Sequence, residues 1–434
     1  MAQTELFTKG LAELKAGRFA EARKLFNDNE ARLGTTAATL QLLKAAEANA
    51  ALGKVDVAAK EFQEVIERNP AIAEGYLGLA RIAIFLGQLD DAKTHATAAV
   101  KMAPQNAMSW TLLGLVHEAK GDIAGAMPNL EKGAQLGQSV YLAQYNMGRI
   151  LTSEKKANQG IVYLLRATEL DPKNADGWIA LGLAQHQLKQ FDKAIASLDR
   201  ATKAAPKNPD PWATMADLQF QQKQFTAARA TLEAGLKNVG DHPALLEKAI
   251  ACCMMINDAP GAVGYLEREL LVVPNYEQGW LNLAHLSLLT GNLDRSEAAA
   301  KHLLTLDPRN WEAWFHLGNL YDAVPDEAKA VDAYKKALAI VPDNWKVLMN
   351  LATTYLQGEG KAKWEEAKKL LEKALTVAPP GDFRVKYNLA LAHVRLGDRA
   401  AALALAREIQ QKAPPNEPMF AEARKLESNL LEKS

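Results

Sequence analysis

The stretch Trp311–Tyr321, WEAWFHLGNLY, decides the fold. Trp314, Leu317, Gly318 and Tyr321 stand at i, i+3, i+4 and i+7, which is one face of an α-helix. The spacing predicts a helix that buries one stripe and leaves Glu312, Phe315, His316 and Asn319 for other contacts.

Working outward, the same arrangement keeps returning. Trp178 and Trp212 stand one interval apart, as do Trp280 and Trp314, and the steps from Trp110 to Trp178 and from Trp212 to Trp280 are each twice that interval. Pro70, Pro104, Pro172, Pro206, Pro274, Pro308 and Pro342 keep the same spacing, single or doubled. Two unrelated residue types sharing one period imply a repeated unit. Units start at Gln3, Thr39, Ala73, Ala107, Tyr141, Ala175, Pro209, Pro243, Glu277, Trp311, Trp345 and Phe383, the ten from Thr39 to Trp345 evenly spaced.

Glycines at Gly17, Gly53, Gly87, Gly121, Gly291 and Gly397 are expected to end the first helix of a unit, because glycine takes the left-handed conformation with little strain. A second helix follows, marked by small residues such as Ala92, Ala194 and Ala330 and larger ones such as Phe62 and Tyr334. Its end is set by the proline, which has no amide hydrogen and disfavours helix in the residue before it. Each unit is therefore a helical hairpin, and no stretch alternates as a strand would.

Bulk composition narrows the function classes. Lys plus Arg and Asp plus Glu each total 51, so no basic excess is available for a phosphate backbone, and nucleic acid is not expected as a partner. Cys252 and Cys253 are adjacent, which disfavours a disulfide between them and suits reduced thiols. The start, MAQTELFTKGLAELKAG, lacks the basic flank and apolar run of a signal peptide, and nowhere do roughly 18 apolar residues run together as a span requires. The expectation is a cytoplasmic chain without direct membrane insertion, or a periplasmic one if a leader has been removed.

The pattern resembles the tetratricopeptide repeat, a helix-turn-helix of about 34 residues with a Trp, Leu-Gly, Tyr, Ala, Phe/Tyr, Ala, Pro signature. That length is the interval between Trp280 and Trp314. The unit at Trp311 carries the signature as Trp314, Leu317, Gly318, Tyr321, Ala330, Tyr334, Ala337 and Pro342. The implied fold is all-α, a superhelical solenoid of about twelve hairpins over 3–416 with a capping helix over 417–434. Departures are Gly34, Gln138 and Gly240 in place of the closing proline, Pro128 inside a second helix, and four extra residues between Trp345 and Phe383, three of them around GEGKAK. Pro128 and the insertion are candidate bends.

In such superhelices the first helices line a concave inside, so the resemblance implies that Trp314, Leu317, Gly318 and Tyr321 pack between hairpins while Glu312, Phe315, His316 and Asn319 face a groove. The position of His316 carries asparagine in four other units, Asn146, Asn282, Asn350 and Asn388, and a row of amides can hydrogen-bond an extended peptide backbone. A tolerated exposed helix residue is the competing reading. The candidate peptide-binding residues are Asn282, His285, Phe315, His316, Asn319, Lys346, Met349, Asn350, Arg384, Tyr387, Asn388, Arg395, Asn146 and Arg149.

Units ten to twelve approach the carboxylate clamp of co-chaperones with Asn319, Asn350 and Arg384, but Phe315 and Asn388 replace two of its cations, so no clamp is assigned. Asp176, Asp210, Asp217 and Glu247 are expected to face inward in the middle, and Lys346, Arg384 and Arg395 near the C-terminus, which suits either a charge-oriented peptide or a mixed solvated face. Leu77, Ile84, Phe85, Tyr145, Phe220, Met254, Met255 and Leu281 add apolar groove positions, some of which can instead cover joints between hairpins.

Other motifs are weaker. GEGKAK lacks the spacer, hydroxyl and strand of a phosphate loop and reads as an inserted turn. His285 and His316 can approach across neighbouring units but lack further ligands, so no metal or cofactor is expected. Cys253, His117 and His393 occupy packed aromatic positions and read as structural.

Hairpins and cap take up the chain from Gln3 to Ser434, leaving no room for a catalytic domain of roughly 100 residues. The favoured function is a non-catalytic scaffold that binds a protein or peptide segment. A regulatory or targeting subunit of an enzyme or of an envelope or export assembly stays open, as does self-association through an imperfectly capped end.

Overall fold

A computed structural model describes residues 2–16, 18–30 and 35–432, and these form 25 helices with no strand among them. Twelve first helices begin at Ala2, Thr35, Ala73, Ala107, Tyr141, Ala175, Pro209, Pro243, Glu277, Trp311, Trp345 and Arg384, and the last helix is Pro418–Glu432. Most expected starts are met at the residue itself, the largest difference being Thr35 for Thr39. Gly17 and Gly34 lie outside the described residues.

The described chain divides into two compact units between Leu218 and Gln219. Within each, a first helix packs on its own second helix, and that second helix packs on the next first helix. This is an all-α solenoid of tandem hairpins.

The tryptophan and proline periods are coupled by a hydrogen bond. Each indole donates to the carbonyl of the proline six positions before it: Trp110 to Pro104 at 2.8 Å, Trp178 to Pro172 at 3.0 Å, Trp212 to Pro206 at 3.1 Å, Trp280 to Pro274 at 2.8 Å and Trp314 to Pro308 at 3.2 Å. Where Gln138 replaces the proline, the residue six further on is Gln144, whose amide donates to Ala134 O and Gly137 O at 2.8 and 3.0 Å. The joint is kept with different atoms.

Helix ends follow a second rule. Gly53, Gly87, Gly121, Gly291 and Gly397 all have positive φ, as expected. Lys155, Lys189, Lys223 and Asn257 occupy the same register and are also left-handed, with φ between 58° and 61°. The turn demands that conformation whichever residue stands there. Asparagine or aspartate caps several of the helices, as Asn310 Oδ1 does by accepting from the Ala313 amide at 2.9 Å.

Small residues let the two helices of a hairpin close. Ala58, Ala92, Ala194, Ala228 and Ala330 are fully buried. A Cβ at Gly318 would collide with the Tyr334 ring, itself fully buried, so tyrosine fills the space that glycine vacates. Trp314, expected to be a buried anchor, is only half-buried, with Lys336 over its ring at 4.5 Å.

Two irregularities resolve differently from expectation. Helix Ile123–Leu136 runs on through Pro128. The insertion at GEGKAK is mostly helix: Lys361–Val377 has 17 residues where Glu327–Ile340 and Arg399–Lys412 have 14. Trp364 fixes its start by donating to Gly358 O at 3.0 Å, repeating the spacing of the indole-to-proline bonds.

Candidate functional site

Seen from the first helices of the last four hairpins, Glu277–Leu289, Trp311–Ala323, Trp345–Gln357 and Arg384–Arg395, the open face is narrower than expected. His316, expected to look into a groove, is fully buried. A first helix packs against the second helix of the hairpin before it as well as against its own, and His316 points into that joint. Ser296 Oγ donates to Ala284 O at 2.8 Å, so it must accept from His316 Nε2, also at 2.8 Å. His316 therefore carries its proton on Nε2, and its buried Nδ1 has no partner. Burial, with His285 beside it, pushes its pKa down to about 4, so the ring is neutral at pH 7. His285 is exposed, its ring set edge-on to His316 with centroids 4.6 Å apart.

The asparagines tie hairpins to one another. Asn350 Nδ2 donates to Asn319 Oδ1 at 2.8 Å, and Asn388 Nδ2 reaches Thr353 Oγ1 at 3.5 Å. The Tyr334 hydroxyl lies 2.8 Å from Asn319 Oδ1 and 2.7 Å from Asp322 Oδ2. Thr354 Oγ1 donates to Asp322 Oδ1 at 2.9 Å, and burial raises the pKa of that carboxyl. Asn282, half-buried, accepts from Gln278 at 3.0 Å. In the first unit Asn146 is buried and donates to Leu142 O at 2.8 Å, while Arg149 forms a two-pronged pair with Glu118 at 2.8 and 2.6 Å. The amides of Asn146, Asn350 and Asn388 thus donate within the protein, as does the Arg149 guanidinium.

What faces outward is a set of cations laid over indoles. Lys346 and Arg384 sit over Trp345 at 5.8 and 5.3 Å, and Arg395 over Trp364 at 5.8 Å. Arg384 also holds Asp382, whose carboxyl is kept below its usual range by that guanidinium. Lys346 also helps to hold the Asp382 carboxyl down, and neither Lys346 nor Arg395 forms an ion pair within 4 Å among the described residues. On the same first helices Phe315, Met349 and Tyr387 are half-buried, Phe315 against the Tyr334 ring at 5.9 Å and Tyr387 3.4 Å from Glu422 of the last helix. These side chains can offer flat apolar contact and positive charge to a bound segment.

Of the other expected groove positions, Leu77 and Leu281 are buried, Ile84, Tyr145 and Phe220 are half-buried, and Phe85, Met254 and Met255 are exposed. Asp176, Asp210 and Glu247 are exposed and Asp217 is half-buried. Both cysteines are buried, and burial pushes the Cys253 thiol up. His117 and His393 hold Asp122 and Asp398 at 2.7 and 3.1 Å, and these aspartates cap the following helices through Gly125 N and Ala401 N. Among the described residues no three His, Cys, Asp or Glu side chains group as metal ligands, and no helix is long and apolar enough to cross a membrane. Sequence reading missed Asp322 and Thr354; the signal was their separation, close to one repeat.

Tetratricopeptide repeat models match residues 43–84, 77–139, 151–213, 185–251 and 277–310. Residues 303–420 match a model described as the cytochrome c-type biogenesis protein H TPR domain. The chain belongs to the tetratricopeptide repeat family. It is 28% identical over 124 residues to human tetratricopeptide repeat protein 6, a match covering 29% of this chain and only 24% of that protein. Among solved structures it is similar to yeast Tom70, at 14% identity, covering 100% of this chain and 96% of the other with a TM-score of 0.40. It is also similar to pilF of Pseudomonas aeruginosa, at 20% identity, with 48% of this chain and 94% of the other covered and a TM-score of 0.40.

Proposed function

We propose that this chain is a non-catalytic assembly scaffold in cytochrome c-type biogenesis, whose last hairpins receive a segment of a protein partner. The match of residues 303–420 to the biogenesis TPR domain carries this reading. It is supported by the exposed cations on indoles within that range, Lys346 over Trp345 and Arg395 over Trp364. With the amides of Asn350 and Asn388 tied between hairpins, this face offers cationic and apolar side-chain contacts and suits a partner segment with acidic and apolar residues.

The test is photo-crosslinking in cells from His285, Lys346 and Arg395, with Lys335 on the second helix of hairpin ten as control, alongside the c-type cytochrome content of a strain lacking the gene. Crosslinks to a discrete polypeptide from the three open-face positions, with a fall in c-type cytochromes, are expected. Equal crosslinking from Lys335 would remove the site, and unchanged cytochrome content would remove the pathway.

A further inference from the structure

Arg81 and Arg149 occupy the same register, two repeats apart. Arg149 is neutralised by Glu118, 31 positions before it, in a two-pronged pair. The residue at the same distance before Arg81 is Ala50. Arg81 is exposed and has no acid partner among the described residues. The nearby Glu47 is engaged by Lys44 at 2.9 Å.

There is also space beside Arg81. A recess of about 500 Å³ lies there, bounded by Ala50, Ala51, Val55, Phe62 and Phe85, with the Lys44-paired Glu47 also in its wall. Gly78 leaves room for the Phe62 ring in its wall, since a Cβ there would come within 2.5 Å of that ring. Phe85 stands at its edge 77% exposed. A guanidinium without an ion pair therefore borders a largely apolar hollow, at the place where the equivalent arginine is paired with a carboxylate.

We propose that this recess binds a segment of another protein in which a carboxylate lies beside a bulky apolar side chain. The carboxylate takes on Arg81 the place that Glu118 takes on Arg149, and the apolar side chain covers Phe85 and fills the space over Ala50. The proposal rests on the scaffold reading but lies in the first unit, away in sequence from the hairpins tested by crosslinking.

The test uses the full chain and fluorescein-labelled decapeptides, each a Gly-Ser frame carrying Leu, Phe or Trp beside Glu, with partners in which Glu becomes Gln or the apolar residue becomes Ser. Anisotropy titrations at physiological salt are expected to show binding by the complete pairs. Loss of either element should weaken it by about tenfold or more. Arg81→Gln should weaken it equally, and so should Ala50→Glu, which supplies an internal acid at an exposed position and leaves the thermal unfolding of the chain unlowered. Unchanged affinity in Ala50→Glu, binding that survives removal of the apolar residue, or no binding by any peptide would overturn the proposal. So would a wild-type dimer that Ala50→Glu dissociates in sedimentation, since the occupant would then be a second copy. None of these outcomes depends on the crosslinks from His285, Lys346 and Arg395.

Discussion

The indole of Trp314 donates to the carbonyl of Pro308 across 3.2 Å, joining the start of one hairpin to the end of the hairpin before it. Because Trp314 is half-buried and Tyr334 fully buried, the two aromatic residues of this hairpin have different energetic roles. Trp314→Phe keeps most of the packing and loses one hydrogen bond, an expected cost of about 1 kcal/mol. Tyr334→Ala empties the space opposite Gly318 and should cost about 3–5 kcal/mol. Urea unfolding followed by far-UV dichroism measures both, and a cost for Trp314→Phe equal to that for Tyr334→Ala would refute this division.

The left-handed turn residue gives a prediction with opposite signs at equivalent places. A Cβ at Gly87 would meet nothing within 4 Å, so Gly87→Ala incurs only the backbone strain of φ +73°, about 1–2 kcal/mol. Lys189 already carries that strain at φ 58°, and Lys189→Gly should be stabilising by up to about 1 kcal/mol. Denaturation midpoints moving in the same direction for both variants would show that the turn does not impose the conformation.

The joint between hairpins ten and eleven is a polar network around Asn319 and Asp322. Asn319→Ala removes the acceptor for Asn350 and a neighbour of the Tyr334 hydroxyl, leaving half-buried polar groups short of a partner. The expected cost is about 1–3 kcal/mol. Asn282→Ala deletes only a contact with Gln278 on the same helix and should cost under about 0.5 kcal/mol. Similar losses from the two substitutions would show that the contact between hairpins contributes nothing special.

How much of this was legible in the sequence differs by level. The hairpins were, because Trp and Pro recur with one period for a shared reason, the indole-to-carbonyl bond. The open face was only partly legible. Helical periodicity places Asn146, Asn282, His316, Asn350 and Asn388 on one angular position, but whether that position meets solvent depends on the preceding hairpin. Asn146 and His316 are buried there, and Asn282, Asn350 and Asn388 are half-buried. Lys189 gave no sign of a left-handed residue, since the demand comes from the turn and not from the side chain.

His316 makes the stability of its hairpins depend on pH. In the unfolded chain its imidazole titrates near 6.5, and in the folded chain burial and His285 lower it to about 4. Between these values the unfolded state binds more protons, so stability falls as pH falls through that window, is complete above about 6.5 and reaches its floor below about 4. A shift of this size on a fully buried ring corresponds to a loss on the order of 3 kcal/mol. His316→Asn places in hairpin ten the residue that hairpin five already buries as Asn146, and it removes the titration. Urea midpoints of wild type and variant, compared at pH 7.5 and pH 4.5, should diverge, with wild type losing more. Parallel losses in the two proteins would assign the acid sensitivity to other groups.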